Sequence, residues 1–134
     1  MATDLTTVPD ERKLRTGYNG TGSDYALGLA LTGSYGACTV PTAKTDPIVG
    51  VTRAIMKAGY QGSLATSGLE LVLAGTGGFS KGQRLMPEAN TGKAIPWSAA
   101  AGANATILGI AQSDAAEGAL GLCEIGVGAM GQGA

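Results

Sequence analysis

Apolar residues in this chain come in short runs, and small or polar residues cut each run before it reaches helical length. Eight runs have the length and composition of strands: residues 27–31, 48–53, 62–66, 69–73, 83–86, 93–96, 106–111 and 120–127. Leu69-Glu-Leu-Val-Leu73 and Leu120-Gly-Leu-Cys-Glu-Ile125 partly alternate, with the period of two that marks a half-buried strand. Turn signals separate the runs at Leu31-Thr-Gly-Ser34, Ser67-Gly68, Gly75-Thr-Gly-Gly78 and Asn90-Thr-Gly92. Only 114–120 has a helical flavour, and Gly118 weakens it. The pattern predicts an all-β domain over residues 27–134, a small β-barrel or β-sandwich with little helix.

Residues 1–26 read differently. They carry seven charges (Asp4, Asp10, Glu11, Arg12, Lys13, Arg15 and Asp24) and almost no apolar periodicity. This composition predicts an extended N-terminal arm, with at most a short helical turn over Pro9–Leu14. Arg12, Lys13 and Arg15 form a small basic cluster that Asp10 and Glu11 largely cancel. Two readings of the cluster stand side by side: a solvated arm, or an arm that orders on a partner surface and uses its charges for register.

The body contains an internal echo. Ile48-Val-Gly-Val51 matches Ile107-Leu-Gly-Ile110, and Gly50, Gly59 and Gly62 recur as Gly109, Gly118 and Gly121 at a constant offset of 59. Glycine inside a strand marks a bulge, a bend or a close backbone approach. The echo therefore predicts two similar strand–turn–strand units with related bends. The glycines from 126 onward read as a loose tail.

Composition narrows the function. The 134 residues include 23 glycines and 22 alanines, so the core is thin for the chain's length. A thin core is often supplemented by oligomerisation or by docking on a partner. Histidine is absent, which removes Ser-His-Asp and Cys-His catalysis, a histidine general base and histidine metal ligands. A net charge of −1 leaves no broad basic face for nucleic acid or anionic membrane. Cys38 and Cys123 are too few for a disulfide framework and are expected as buried free thiols. The stretch from Ala94 to Ser113 is free of charge but too broken by polar residues to span a membrane, and no apolar leader segment is evident.

Two motifs imitate catalysis. Gly78-Phe-Ser-Lys-Gly82 fits the nucleophile elbow, but Ser80 has no histidine to take its proton and no helix pattern follows. Gly126-Val-Gly-Ala-Met-Gly131 fits a dinucleotide fingerprint, but only three residues remain where its helix should be. Carboxylates are scattered without calcium-loop spacing. No enzyme activity, cofactor or metal is expected. Trp97, after Pro96, reads as a cap on the core or an interface anchor.

The ordered segments Gly28-Leu-Ala-Leu31, Pro47-Ile-Val-Gly-Val-Thr52, Gly62-Ser-Leu-Ala-Thr-Ser-Gly68 and Leu69-Glu-Leu-Val-Leu-Ala-Gly75 carry a resemblance. It continues through Phe79-Ser-Lys-Gly-Gln-Arg-Leu85, Asn90-Thr-Gly-Lys-Ala-Ile-Pro96, Ile107-Leu-Gly-Ile-Ala111 and Ala116-Glu-Gly-Ala119. Together these segments resemble the bacteriophage head decoration, or capsid cement, proteins. The resemblance implies a small β-barrel or β-sandwich, made in the host cytoplasm, that binds the outer capsid surface of the virion. It implies a major capsid protein as partner, a trimer bridging neighbouring capsomers, and no catalytic residues. Arg12, Lys13, Arg15 and Trp97 are then the capsid-contact candidates. A tail-tube or head–tail joining subunit, and a ligand- or glycan-binding β module, are the alternatives.

Overall fold

The computed structural model describes residues 13–99 and 101–132. Nine strands follow one another, with no helix among the described residues. They are β1 (Lys13–Tyr18), β2 (Ala30–Ser34), β3 (Ala37–Thr39), β4 (Ile48–Thr52), β5 (Gln61–Leu73), β6 (Arg84–Pro87), β7 (Ala94–Pro96), β8 (Asn104–Ala111) and β9 (Leu120–Gln132). The sheet runs β3-β2-β4-β5-β9-β8-β6-β7, with β1 added to β5, and the strand pairs are antiparallel. It curls into a half-barrel, so the all-β expectation holds.

Several elements differ from the sequence reading, each for a physical reason. The runs 62–66 and 69–73 are one strand, because Gly68 (φ 100°) bends β5 without leaving the ladder and stays paired with Ile125. Residues 126–131, read as a loose tail, continue β9 against β8, with Ala105 opposite Gly131 and Thr106 opposite Met130. Residues 114–120 form a turn and the start of β9 rather than a helix.

Residues 13–18, read as the later part of an arm, are a strand of the sheet, and Asn19 and Tyr25 beyond it are buried. β1 borrows its ladder from β5, and the missing side chain of Gly17 makes room for Leu64 and Cys38, which an added Cβ would meet at 2.7 and 2.9 Å. Asn19 is buried and its amide donates to the carbonyls of Ser23 (2.8 Å) and Met56 (2.9 Å). Tyr25 belongs to the core. The rest of the arm, residues 1–12, lies outside the described residues, as does most of the helical turn proposed over Pro9–Leu14, whose last two residues start β1.

The sheet is one motif used twice. β1, β2, β3, β4 and the first half of β5 form the first unit. The second half of β5 takes the place of β1 in the second unit, followed by β6, β7, β8 and the first half of β9. Thr16 opposite Ser63 is matched by Leu71 opposite Leu122, Val51–Ala65 by Ile110–Glu124, and Ala30–Val51 by Arg84–Ile110. The loops match as well. Tyr25 and Met56 exchange two backbone hydrogen bonds of 2.9 and 2.8 Å, and Phe79 and Ala115 exchange two of 2.9 Å. Asn19 and Ala74 each bridge the equivalent turns, at Gly59–Tyr60 and Gly118–Ala119, whose glycines have φ of 79° and 83°. The glycine echo is therefore a backbone duplication.

The core follows from this arrangement. Tyr25, Leu29, Leu31, Cys38, Met56 and Leu64 fill the inside of the first unit. The larger cluster joins the inner side chains of the second unit, among them Val72, Phe79, Leu85 and Cys123, to Ala30, Val51 and Ala65 of the first. The outer face of the first unit thus covers the inner face of the second.

Candidate interaction surfaces

Among the sequence candidates, Arg12 lies outside the described residues, and Lys13 is described only by its backbone pairing with Ser67. Arg15 is exposed, and its guanidinium sits 5.6 Å from the centroid of the Tyr35 ring, a cation–π contact. The Tyr18 amide donates to the Tyr35 carbonyl (2.8 Å), and the next amide, Asn19, donates to the Tyr60 carbonyl (3.0 Å). β1, the β2–β3 turn and the turn before β5 therefore bring the backbones of Tyr18, Tyr35 and Tyr60 together at one corner of the first unit, with all three tyrosines exposed; within β1, Arg15 on the Tyr35 ring and Tyr18 face opposite sides of the strand. Tyrosine and arginine are the residues that interfaces favour. The second unit has Glu70, Leu73 and Ala119 where the first has Arg15, Tyr18 and Tyr60, so only the first carries this corner. No sequence period links the tyrosines; only the topology brings them together.

Trp97 sits apart, in the second unit. Its backbone amide donates to the Arg84 carbonyl (2.7 Å) and its indole N–H to the Ala105 carbonyl (3.2 Å). The Arg84 guanidinium lies 5.4 Å from the ring centroid, and Gly131 leaves room for the ring edge, which a Cβ there would meet at 3.0 Å. The ring closes the β6–β8–β9 end of the sheet and is half-buried.

A second surface was hidden in the alternation of β5 and β9. The face turned inward carries Glu70, Val72, Cys123 and Ile125, while Leu69, Leu71, Leu120 and Leu122 face out. Leu71 lies directly opposite Leu122, and Glu124 is flanked by Leu69 on β5 and Ile110 on β8. Together these side chains form an exposed apolar patch on the order of a few hundred Å², the size of the largest patch on an ordinary monomer, which is often functional.

The remaining polar groups and thiols make contacts within the fold. Gly78–Gly82 forms a turn leading into β6, where the exposed Ser80 gives its amide N–H to Gln83 Oε1 (2.7 Å). Cys38 and Cys123 are free, buried thiols in the two different cores. Burial pushes the Cys38 thiol up, and burial with the nearby Glu124 charge pushes Cys123 up to about 12. The Glu88 carboxylate accepts from Thr76 N (3.2 Å) and Thr91 Oγ1 (2.7 Å), tying the turn after β5 to the β6–β7 turn. Hydrogen bonding from Thr76 and then Thr91, with the charge of Lys93, holds its carboxyl below the usual range. No group of three or more metal-ligating side chains is assembled among the described residues.

These features define a small all-β module, a duplicated half-barrel with two side-chain-rich surfaces. No family model matches the chain, and no curated protein sequence matches it. Among solved structures, the chain is similar to the crystal structure of the head fiber gp8.5 N base in bacteriophage phi29. The likeness has a TM-score of 0.62 and 20% identity, and covers 85% of this chain and 93% of that one. At this identity it establishes a shared fold.

Proposed function

We propose that this chain is a non-catalytic structural component of a bacteriophage virion, docked on the outer surface of the head shell and bridging neighbouring capsomers. One observation carries the reading: most of the chain shares its fold with the base of a phage head fiber. The resemblance of residues 28–119 to head decoration proteins points the same way from separate evidence, the order of the sequence segments. The major capsid protein is the proposed partner, together with further copies of the chain, a trimer being favoured. Nucleic acid, membrane and cofactors have no part in the reading.

The corner that holds the Arg15–Tyr35 pair is the proposed shell contact. Its tyrosines combine apolar area with a hydroxyl that tolerates water, and Arg15 supplies a planar charge. Each copy contributes a modest contact, and repetition over a symmetric shell converts modest affinity into avidity. Clamping adjacent capsomers then opposes the outward strain of a packed head.

The test uses purified chain and phage heads that lack it. The chain should co-sediment saturably with the heads and raise their thermal resistance. Arg15→Ala combined with Tyr35→Ala should weaken binding about tenfold or more. No co-sedimentation at saturating protein, with unchanged head stability, overturns the reading.

A further inference from the structure

We infer that the outer face of the second unit is the docking surface for a second copy of this chain. Five aliphatic side chains form it: Leu69, Leu71, Ile110, Leu120 and Leu122, each 37–46% exposed. The duplication supplies an internal control. At the positions matching Leu71, Leu122 and Leu120, the first unit has Thr16, Ser63 and Gln61, also exposed, while Leu69 is matched by Leu14, an exposed leucine in both units. The same backbone in the same chain is therefore polar at the sites of Leu71, Leu122 and Leu120 in one unit and leucine in the other. The fold itself does not require leucine there.

The first unit also shows what this face does when it is covered. Its rung Ala30–Val51–Ala65 is buried against the core of the second unit. The matching rung in the second unit is Arg84–Ile110–Glu124, and it is exposed. A surface position used for protein packing in one unit is thus open in the other.

Charge selects the occupant. On this rung an acid and a guanidinium flank a central isoleucine, and Leu69 continues it beyond Glu124. Arg84 is steadied by the Trp97 ring beneath its guanidinium. Two copies brought face to face at Ile110 set Glu124 of each beside Arg84 of the other. Such self-complementarity is what a contact between identical chains requires. The apolar patch alone is smaller than the roughly 800 Å² per partner of a standard stable interface, so the charged ends must contribute.

This contact pairs two copies by a twofold axis, so it stands beside the trimer of the proposed function rather than building it, and it does not depend on the shell; self-association and head binding are measured separately. Sedimentation equilibrium of the wild-type chain should show reversible association in the roughly micromolar range. Leu71→Thr, Leu120→Gln and Leu122→Ser together restore the side chains of the first unit. That triple variant should weaken association at least about tenfold, with an unchanged circular dichroism spectrum. Should it fail to fold, the exposed charges keep the test open. Glu124→Arg should weaken association about fivefold or more, and adding Arg84→Glu should restore it. A wild-type chain that stays monomeric at the highest attainable concentration overturns the inference, as does association that ignores the variants or a double reversal that fails to restore it. If the chain is monomeric and the triple variant loses head binding, the face belongs to the shell: the inference falls while the proposed function stands.

Discussion

Gly109→Ala is the sharpest test of the duplicated sheet. Gly109 lies in β8 where that strand presses against β9, opposite Ile125, beside the irregularity between Ile107 and Gly109. An added Cβ would meet the Cys123 Sγ and the Glu124 carbonyl carbon at 2.9 Å each, and would overlap the Glu124 carbonyl oxygen. Backbone cannot swing aside as a long side chain can, so β8 must move away from β9 by on the order of 1 Å to reach ordinary contact distance. Overpacking of this kind costs about 1–3 kcal/mol. Weakening one or two ladder hydrogen bonds adds about 1 kcal/mol each. A total of about 3–4 kcal/mol is a large fraction of the 5–15 kcal/mol that holds a domain folded. For 134 residues the unfolding entropy is about 0.3 kcal/mol/K, so the melting temperature should fall by about 10 °C. The assay is thermal and urea unfolding followed by circular dichroism. Gly118→Ala, whose Cβ meets nothing within 4 Å but whose φ is 83°, should cost only about 1–2 kcal/mol. Gly126→Ala, with open space and no positive φ, should be nearly silent. A Gly109→Ala protein that melts within 2 °C of wild type, or no lower than Gly118→Ala, would refute the close strand approach on which the repeat rests.

Three further outcomes follow from the packing and titration. Leu31 and Leu85 are fully buried on matching rungs, so Leu31→Ala and Leu85→Ala should each cost about 2–5 kcal/mol in urea unfolding; a cost under 1 kcal/mol at either would contradict its place in the core. Glu88 has a folded pKa below its ordinary 4.5, so its contribution to stability is present above that pH and is lost as the pH falls through the lowered value. Glu88→Gln should therefore flatten the acid limb of a stability-against-pH curve; an unchanged limb rules the contribution out. Cys38 and Cys123 should resist a thiol reagent at pH 8 in the native state and both react on unfolding; rapid native labelling of either would contradict its burial.

Much of the sheet was legible because its cues are local. The glycine echo at Gly50, Gly59 and Gly62 survives since each position is needed twice: Gly50 and Gly109 for close strand approach, Gly59 and Gly118 for a turn of positive φ, Gly62 and Gly121 to admit Met56 in one unit and Phe79 in the other. β1 was not legible. In Lys13-Leu-Arg-Thr-Gly-Tyr18 the two large apolar residues, Leu14 and Tyr18, share the face that stays exposed while Gly17 faces the core, and the strand's place is fixed by a partner more than forty residues away. The surfaces were harder still. Alternation in 69–73 and 120–125 tells that two faces differ, not which one the fold buries, and here Glu70 is inside and the leucines outside. The tyrosine corner depends on three separate segments meeting, which no single stretch of sequence records.

Electron microscopy of heads reconstituted with the purified chain tests the central proposal most directly. The account predicts density for the half-barrel on the outer surface of the shell, spanning neighbouring capsomers, with the Arg15 corner toward the shell. Heads without outer density, or density confined to a tail tube or head–tail junction, would contradict it.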